Sequence, residues 1–597
     1  MRGPARCGAA IGGLGGVAVG LAAAALNPFW LDDLLLGLIL LGLLPAAAGA
    51  LIASTLRRPQ SCRFAPTALL VGAAALLALR LVAALRPAPN SGVRLLVVGL
   101  DGAAPHLVQE MARRGELPTL AHLMARGSWG PLQSLQPTAS PRIWPSILSG
   151  TRPSTHGILD WYTRQAALRV PRLWDALEAR GWSVGLYRMI VTWPPQPLRG
   201  FVIPGWLAPS GETWPARHEW LGVLHSGVRP RQAARRLLDY PRYGLMALRE
   251  GVTLSEFHSI ALWLLERRLF PLAADPERLR TGWFWSRLDP ELFLTLVRDH
   301  EPELAVYYTD LIDKISHRFW HGENGRDLLD PGSEIVRRAY REVDRGLDRI
   351  LRGATDARTV ICVVSDHGFR ADPTAGAPKS LSGTLLIRAL DLDPRIHALH
   401  PFEGVELYVA DAQGAADQLL RRTAERLAAL RCIETNGPAF SVRLIDRPGY
   451  GDDLLTLELD PVVANHGFPR TELQIHLPAG GRLRIDDLMV AQRRSPGTHD
   501  PSGVLILAGP GVRRGRRLEG ATVLDVLPTL LALIGEPLWP QIEGRVLEPA
   551  INPKFWKAHP PRVGRADGFP LKLAPGSPAK VDDRRLLKEL RSLGYLR

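Results

Sequence analysis

Val360-Ile-Cys-Val-Val-Ser-Asp366-His367-Gly368 is the stretch whose reading decides the fold. It opens with five consecutive apolar residues, four of them β-branched, which fits a strand buried on both faces of a helix-covered sheet. The run stops at a carboxylate, an imidazole and a glycine, the position at which open α/β sheets carry their chemistry. Asp and His are oxygen and nitrogen ligands for a zinc-like ion, but two ligands do not make a site.

Other segments repeat this form. Arg94-Leu-Leu-Val-Val-Gly-Leu-Asp101-Gly102 is a second buried run ending in a carboxylate, and Glu303-Leu-Ala-Val-Tyr-Tyr308 a third, with Asp313 and His317 soon after it. Asp313 and His317 stand four apart, so on a helix they share one face and can grip one ion. Gly497-Thr-His499 precedes the run Val504–Ala508, which ends in a Gly-Pro-Gly turn. Between these runs helices are expected over His106–Arg126 (broken at Gly115 and Pro118), Leu173–Ala179, Ile335–Leu351 and Leu524–Ile534, and a strand over Ser183–Tyr187. In the third of these helices Val336, Tyr340, Val343, Leu347 and Ile350 form one apolar face. The alternation predicts a doubly wound α/β fold with a mostly parallel sheet.

In Pro137-Thr-Ala-Ser140-Pro141-Arg142 a hydroxyl precedes a proline and an apolar helical run, which marks a helix start near Ser140. Its positive end would favour an alkoxide or a phosphate oxygen. Taken alone, Ser140 reads first as a capping serine. From about 205 to 299 the chain is rich in Trp, Arg and Pro and loses the α/β rhythm, so a cap is expected there. Trp206, Trp214, Trp220, Trp263, Trp283 and Trp285 would line a substrate cleft or fill a helical subdomain, the second being the default for any one of them. Residues 385–490 give a mixed pattern. The Pro-rich tail from Ile551 ends in a charged helix, Asp582–Leu593, and no internal repeat is evident.

A hydrophobic content of 46% against 22% charged residues excludes a mainly disordered chain. Three apolar runs, Gly8–Leu26, Leu34–Leu56 and Thr67–Leu85, each approach the roughly 20 residues that a spanning helix needs. A cleavable signal would use one run, so three transmembrane helices are expected within residues 1–88. Arg2 and Arg6 precede the first run, Asp32 and Asp33 follow it, and Arg57, Arg58 and Arg63 follow the second. Under the positive-inside rule the chain beyond Arg86 lies outside the cytoplasm, and Arg80 snorkels from the outer end of the third span. The net charge of +14 comes from scattered arginines without a basic block and interleaved aromatics, so no nucleic-acid polymer is expected as a partner. Four cysteines make no framework: Cys7 and Cys62 fall in or before the membrane segment, Cys362 reads as core, and Cys432 leaves at most one disulfide.

Taken in order, Leu96–Gly102, the Ser140-Pro141 stretch through Ser149-Gly150 to His156-Gly157, Asp313–His317, Ser365–Gly368 and Gly497–His499 resemble the type I phosphodiesterase/nucleotide pyrophosphatase family of the alkaline phosphatase superfamily. The resemblance runs from Arg94 to about Leu547. It implies an alkaline phosphatase-like catalytic domain over 94–547, with the cap at about 205–299, after a membrane domain at 1–88 and before a tail at 548–597. It further implies two divalent cations, with zinc fitting six nitrogen and oxygen ligands best. Asp313, His317 and His499 would hold one and Asp101, Asp366 and His367 the other, with Ser140 as nucleophile beside the metals. Such a pair clamps the attacking and leaving oxygens of a displacement at phosphorus. Arg142 is either a donor to phosphate oxygens or a structural or exposed arginine.

Two departures narrow the activity. Nucleotide pyrophosphatases carry an Asn after a His-Gly-Ile-x-Asp run, whereas Asp160 is followed by Trp161, which takes that substrate-facing place. Ala139-Ser140-Pro141-Arg142 also lacks the sulfatase motif. The expectation is a membrane-anchored phosphodiesterase or phosphatase working through a phosphoserine at Ser140. It would be multi-pass in the cytoplasmic (inner) membrane, with the catalytic domain extracytoplasmic and the lipid bilayer and a phosphoester as partners. The rivals are a transferase of phospho-headgroups to an envelope acceptor and a non-catalytic envelope scaffold. Seven filled site positions speak against the scaffold.

Overall fold

The computed structural model describes residues 92–564, apart from internal stretches of which the longer are 159–164, 227–251, 321–330, 372–378, 399–404, 410–414, 448–453, 462–473 and 492–496. The expected membrane segment 1–88 and the helix Asp582–Leu593 lie outside the described residues. Among the described residues no helix is long and apolar enough to cross a membrane.

The strands that position the site are β1 (Leu95–Leu100), β2 (Ser128–Gln133), β3 (Val184–Tyr187), β4 (Gly200–Ile203), β5 (Leu304–Thr309), β6 (Val360–Val364), β7 (Gly368–Ala371), β8 (Gly497–Asp500), β9 (Ser502–Ala508), β10 (Arg516–Arg517) and β11 (Ala521–Thr522). All but β7 and β8 form one sheet in the order β10-β2-β9-β6-β1-β5-β3-β4, with β11 also on β2. β1 pairs parallel with both β5 and β6, and β3 parallel with β5 and β4. Only β9 runs against its neighbours, β6 and β2. The carboxyl ends of β5, β1 and β6 therefore lie side by side, which brings Asp101, Asp313 and Asp366 to one edge.

β1 divides its side chains between two cores, as the two-residue period of a strand requires. Leu96, Val98 and Leu100 face helices α1 (Pro105–Arg113) and α2 (Pro118–Arg126), whereas Leu95 and Val97 face α3 (Ser140–Ser149) and α4 (Leu173–Ala179). Full burial of each such side chain contributes about 1.5–3 kcal/mol. The described residues of the 205–299 region include α5 (Glu219–Ser226), α6 (Leu254–Leu269) and α7 (Ala274–His300). Its described tryptophans mostly fill core: Trp220, Trp263 and Trp285 are buried, Trp263 stacks on Phe284 at 4.7 Å, and among the described tryptophans of the region only Trp214 is exposed. After β5 come α8 (Leu311–Phe319) and α9 (Pro331–Ala354), whose Val336, Tyr340, Val343, Leu347 and Ile350 are all buried.

Residues 379–491 hold a four-stranded antiparallel sheet of Phe440–Arg447, Leu454–Pro461, Val405–Val409 and Ile396–Ala398. With Gly383–Ala389 and Ala415–Ala428 it closes a core of its own around Leu386, Leu407, Leu420 and Leu427. Cys362 and Cys432 are both buried and free, so the disulfide allowed by the sequence is not formed.

Candidate metal centre

Asp101 leaves β1 fully buried. Gly102 turns the chain there with φ +73°, and a Cβ at this position would lie 2.8 Å from Phe369 Cε2 and 3.1 Å from Asp313 Cα, so only glycine fits. Its N–H donates to Asp366 Oδ1 at 3.4 Å, and Ala103 N–H donates to Ser365 Oγ at 2.8 Å, which ties the ends of β1 and β6 together. Asp313 and His317 follow β5 on successive turns of α8, with His317 Nε2 3.4 Å from Asp313 Oδ1. β8 pairs antiparallel with β7, and this sets His499 opposite Phe369.

Ligand atoms of Asp101, Asp366 and His367 lie within 4.8 Å of one another, as do those of Asp313, His367 and His499. His317 joins the second group, its Nε2 3.0 Å from His499 Nε2. All six residues predicted as ligands thus converge, with His367 between the two groups and its ring stacked on His499 at 3.6 Å between centroids.

Ser140 is the first residue of α3. The cap position belongs to Ala139 and no side chain caps the helix, so Ser140 is not the capping serine that its local sequence suggests. Its Oγ turns instead toward Asp101 Oδ1, at 3.3 Å, and His367 Nε2, at 3.4 Å. Arg142 is buried, which excludes the exposed alternative. Trp161 lies outside the described residues.

The electrostatics suit a cation. His367 Nδ1 is 3.0 Å from Gly368 O and His499 Nδ1 is 2.6 Å from Thr138 O. A carbonyl only accepts, so each Nδ1 carries a hydrogen and each Nε2 faces inward, the outer-partner arrangement of metal-binding histidines; a bound cation would take the place of the proton that the carboxylates otherwise hold on His367 Nε2. Nε2 atoms facing each other at 3.0 Å, as in His317 and His499, need a proton or a cation between them. Burial and then the Asp101 charge push the Asp366 carboxyl well above the usual range, and burial and then the Asp313 charge raise Asp101. His367 is lifted to about 10, because Asp366, Asp101 and Asp313 outweigh the burial that would lower it. Three carboxylates crowded without solvent repel one another, and divalent cations would relieve that repulsion. The donors are nitrogen and oxygen only, as zinc, manganese or iron accept.

His156, next to Ser140's helix, has a bridging place. Its Nδ1 accepts from Ile158 N–H at 3.1 Å and its Nε2 meets Ser146 Oγ at 2.9 Å. Burial and then the Arg142 charge hold its pKa near 3, so it stays neutral.

Sequence reading missed two features. Tyr308 donates to Asp101 Oδ2 from the neighbouring strand. Its signal was one of register, since parallel pairing sets Tyr308 against Gly99, two residues before Asp101. The second is His218, Asp299 and His300, whose ligand atoms also lie within 4.8 Å of one another. There Arg217 already supplies the cation, pairing with Asp299 and standing 3.1 Å from His300 Nε2.

A family model described as Type I phosphodiesterase / nucleotide pyrophosphatase matches residues 95–444, more than half of the chain. No curated protein matches. Among solved structures the chain is similar to phosphonoacetate hydrolase from Sinorhizobium meliloti 1021 in complex with phosphonoformate. The identity is 15% and the TM-score 0.40, with 74% of this chain and 95% of that one covered.

Proposed function

The chain belongs to the type I phosphodiesterase/nucleotide pyrophosphatase family, phosphoester hydrolases of the alkaline phosphatase superfamily, and from that premise we propose that it cleaves a phosphoester by attack of Ser140 at a centre of two divalent cations. The observation that carries this reading is Ser140 Oγ, fully buried, 3.3 Å from Asp101 Oδ1 and 3.4 Å from His367 Nε2. Asp313, His317 and His499 would hold one ion, and Asp101, Asp366 and His367 the other, with zinc the best fit. Bound there, the ions would supply Lewis-acid stabilisation of charge on the phosphoryl oxygens.

The chain's own residues supply the rest. Ser140 Oγ bonds to phosphorus while the ester P–O bond breaks and the alcohol departs with a proton. The serine hydroxyl already points at Asp101 Oδ1, the first acceptor for its hydrogen. The positive end of α3 lies at Ser140 and favours its anionic form. Water then attacks phosphorus, the Oγ–P bond breaks, and Ser140 regains its proton as the phosphate product leaves. Asp101 and His367 hold Oγ in place through both halves.

The test is turnover of p-nitrophenyl phosphate and bis-p-nitrophenyl phosphate by zinc-loaded full-length protein, with mass spectrometry of the Ser140 peptide after acid quenching. Ser140→Ala should cost several orders of magnitude in kcat and remove the phosphopeptide. Undiminished turnover in that variant would refute the reading. For residues 1–88 we propose three membrane spans with the catalytic domain outside the cytoplasm, on the strength of the three apolar runs and the arginines flanking them. Alkaline carbonate washing should leave the full chain in the membrane pellet, and its release would count against the anchor.

A further inference from the structure

We infer that Tyr308 is a positioning residue that fixes which oxygen of Asp101 faces the metal centre, and so sets the affinity for one of the two cations. The inference rests on the functional reading above and adds to it a residue that touches neither substrate nor metal.

A carboxylate on a short side chain has two equivalent oxygens and can present either by rotating about its last bond. Here the two are not equivalent. Oδ2 accepts the phenolic hydrogen of Tyr308, while Oδ1 lies 3.3 Å from Ser140 Oγ and 3.3 Å from His367 Nε2. The phenol thus holds Asp101 so that only Oδ1 points inward.

Tyr308 is itself held. It is fully buried in β5. Trp144 and its ring pack edge to face at 5.4 Å between centroids and 87° between planes. Trp144 stands one turn along α3 from Ser140, so the contacts close a loop from Ser140 through Trp144, Tyr308 and Asp101 back to Ser140 Oγ. Nucleophile and carboxylate are registered to each other through Tyr308. Loss of such an outer partner typically costs about 10–100-fold in metal affinity.

A buried tyrosine also needs a partner simply to be stable, so the test must read something that a structural role would leave alone. Full-length wild type and Tyr308→Phe are stripped of metal and titrated with zinc against a chelator of known affinity. The expected result is one zinc equivalent of unchanged affinity and one weakened about 10–100-fold, with the melting temperature of the metal-free protein recorded beside it. If Tyr308→Phe also lowers that temperature, the cycle with Asp101→Ala separates the roles: Tyr308→Phe should weaken zinc in the wild-type background and have no further effect once Asp101 is gone. Two zinc equivalents bound by Tyr308→Phe as tightly as by wild type overturn this inference alone. A wild type that binds no zinc overturns the functional reading and this inference with it.

Discussion

Gly99→Ala is a small change that should disturb the site without replacing a site residue. Gly99 sits in β1 opposite Tyr308 and Val364. A Cβ there would lie 2.7 Å from Trp144 Cη2, 3.0 Å from Trp144 Cζ3 and 3.3 Å from Tyr308 Cδ2. Ordinary contact begins near 3.4 Å, so the indole must withdraw by about 0.7 Å. Gly99 is not among the residues with positive φ, which leaves the added methyl as the whole perturbation. Overpacking of this kind costs roughly 1–3 kcal/mol. Because Trp144 and Ser140 share α3, part of the withdrawal should reach the nucleophile, and a misplacement near 1 Å costs up to about 10²-fold in rate. The assay is thermal melting together with kcat/KM on an aryl phosphoester, with Gly115→Ala as control. Gly115 has φ +75° and nothing within 4 Å of the place a Cβ would take, so its substitution should cost stability and leave turnover intact. A Gly99→Ala protein that melts and turns over like wild type would refute the packing argument.

Two further predictions concern stability. His156 has a folded pKa near 3, below its ordinary 6.5, so the unfolded chain takes up the proton first as pH falls. The stability tied to this neutral ring is complete above pH 6.5 and is lost between 6.5 and 3, by at most about 1.4 kcal/mol per pH unit. Melting temperature against pH should fall more steeply for wild type than for His156→Gln, and equal slopes would count against the buried neutral ring. Arg172 is buried over Trp174, with Nε 2.8 Å from Asp175 Oδ2 and further bonds to Gln165, Gln196 and Val191 O. Arg172→Ala strands the Asp175 carboxylate and should destabilise by about 3–5 kcal/mol in chemical unfolding, whereas a loss below about 1 kcal/mol would contradict that account.

What the sequence reveals follows from which interactions are local. β1, β5 and β6 are legible because strands buried on both faces become unbroken apolar runs, and the carboxylates at their ends stand out against them. Asp313 and His317 are legible as a pair because helix geometry brings residues four apart together. His499 is not legible as a ligand in the same way, since its place depends on the pairing of β8 with β7, far away in the chain. The direction of β9 is equally hidden, because an apolar run reads the same parallel or antiparallel. Ser140 shows local propensity overruled: Ser before Pro suggests a cap, yet tertiary contacts with Asp101 and His367 claim the hydroxyl. In 379–491 the strands Ile396–Ala398 and Val405–Val409 are too short to set out a two-residue period, and the second of them pairs with Leu454–Pro461 across a long connection, so neither stands out in the sequence.

The strand that carries His499 sets a timetable. Five of the six proposed ligands have been synthesised by the time His367 leaves the ribosome, but the sixth follows only after well over a hundred further residues, including an entire antiparallel module with its own core. With the proposed ligand set, a nascent or prematurely terminated chain would present an incomplete cation cage, and metal loading would fall after translation. On that reading, active enzyme would arise only once β8 has been made and docked on β7.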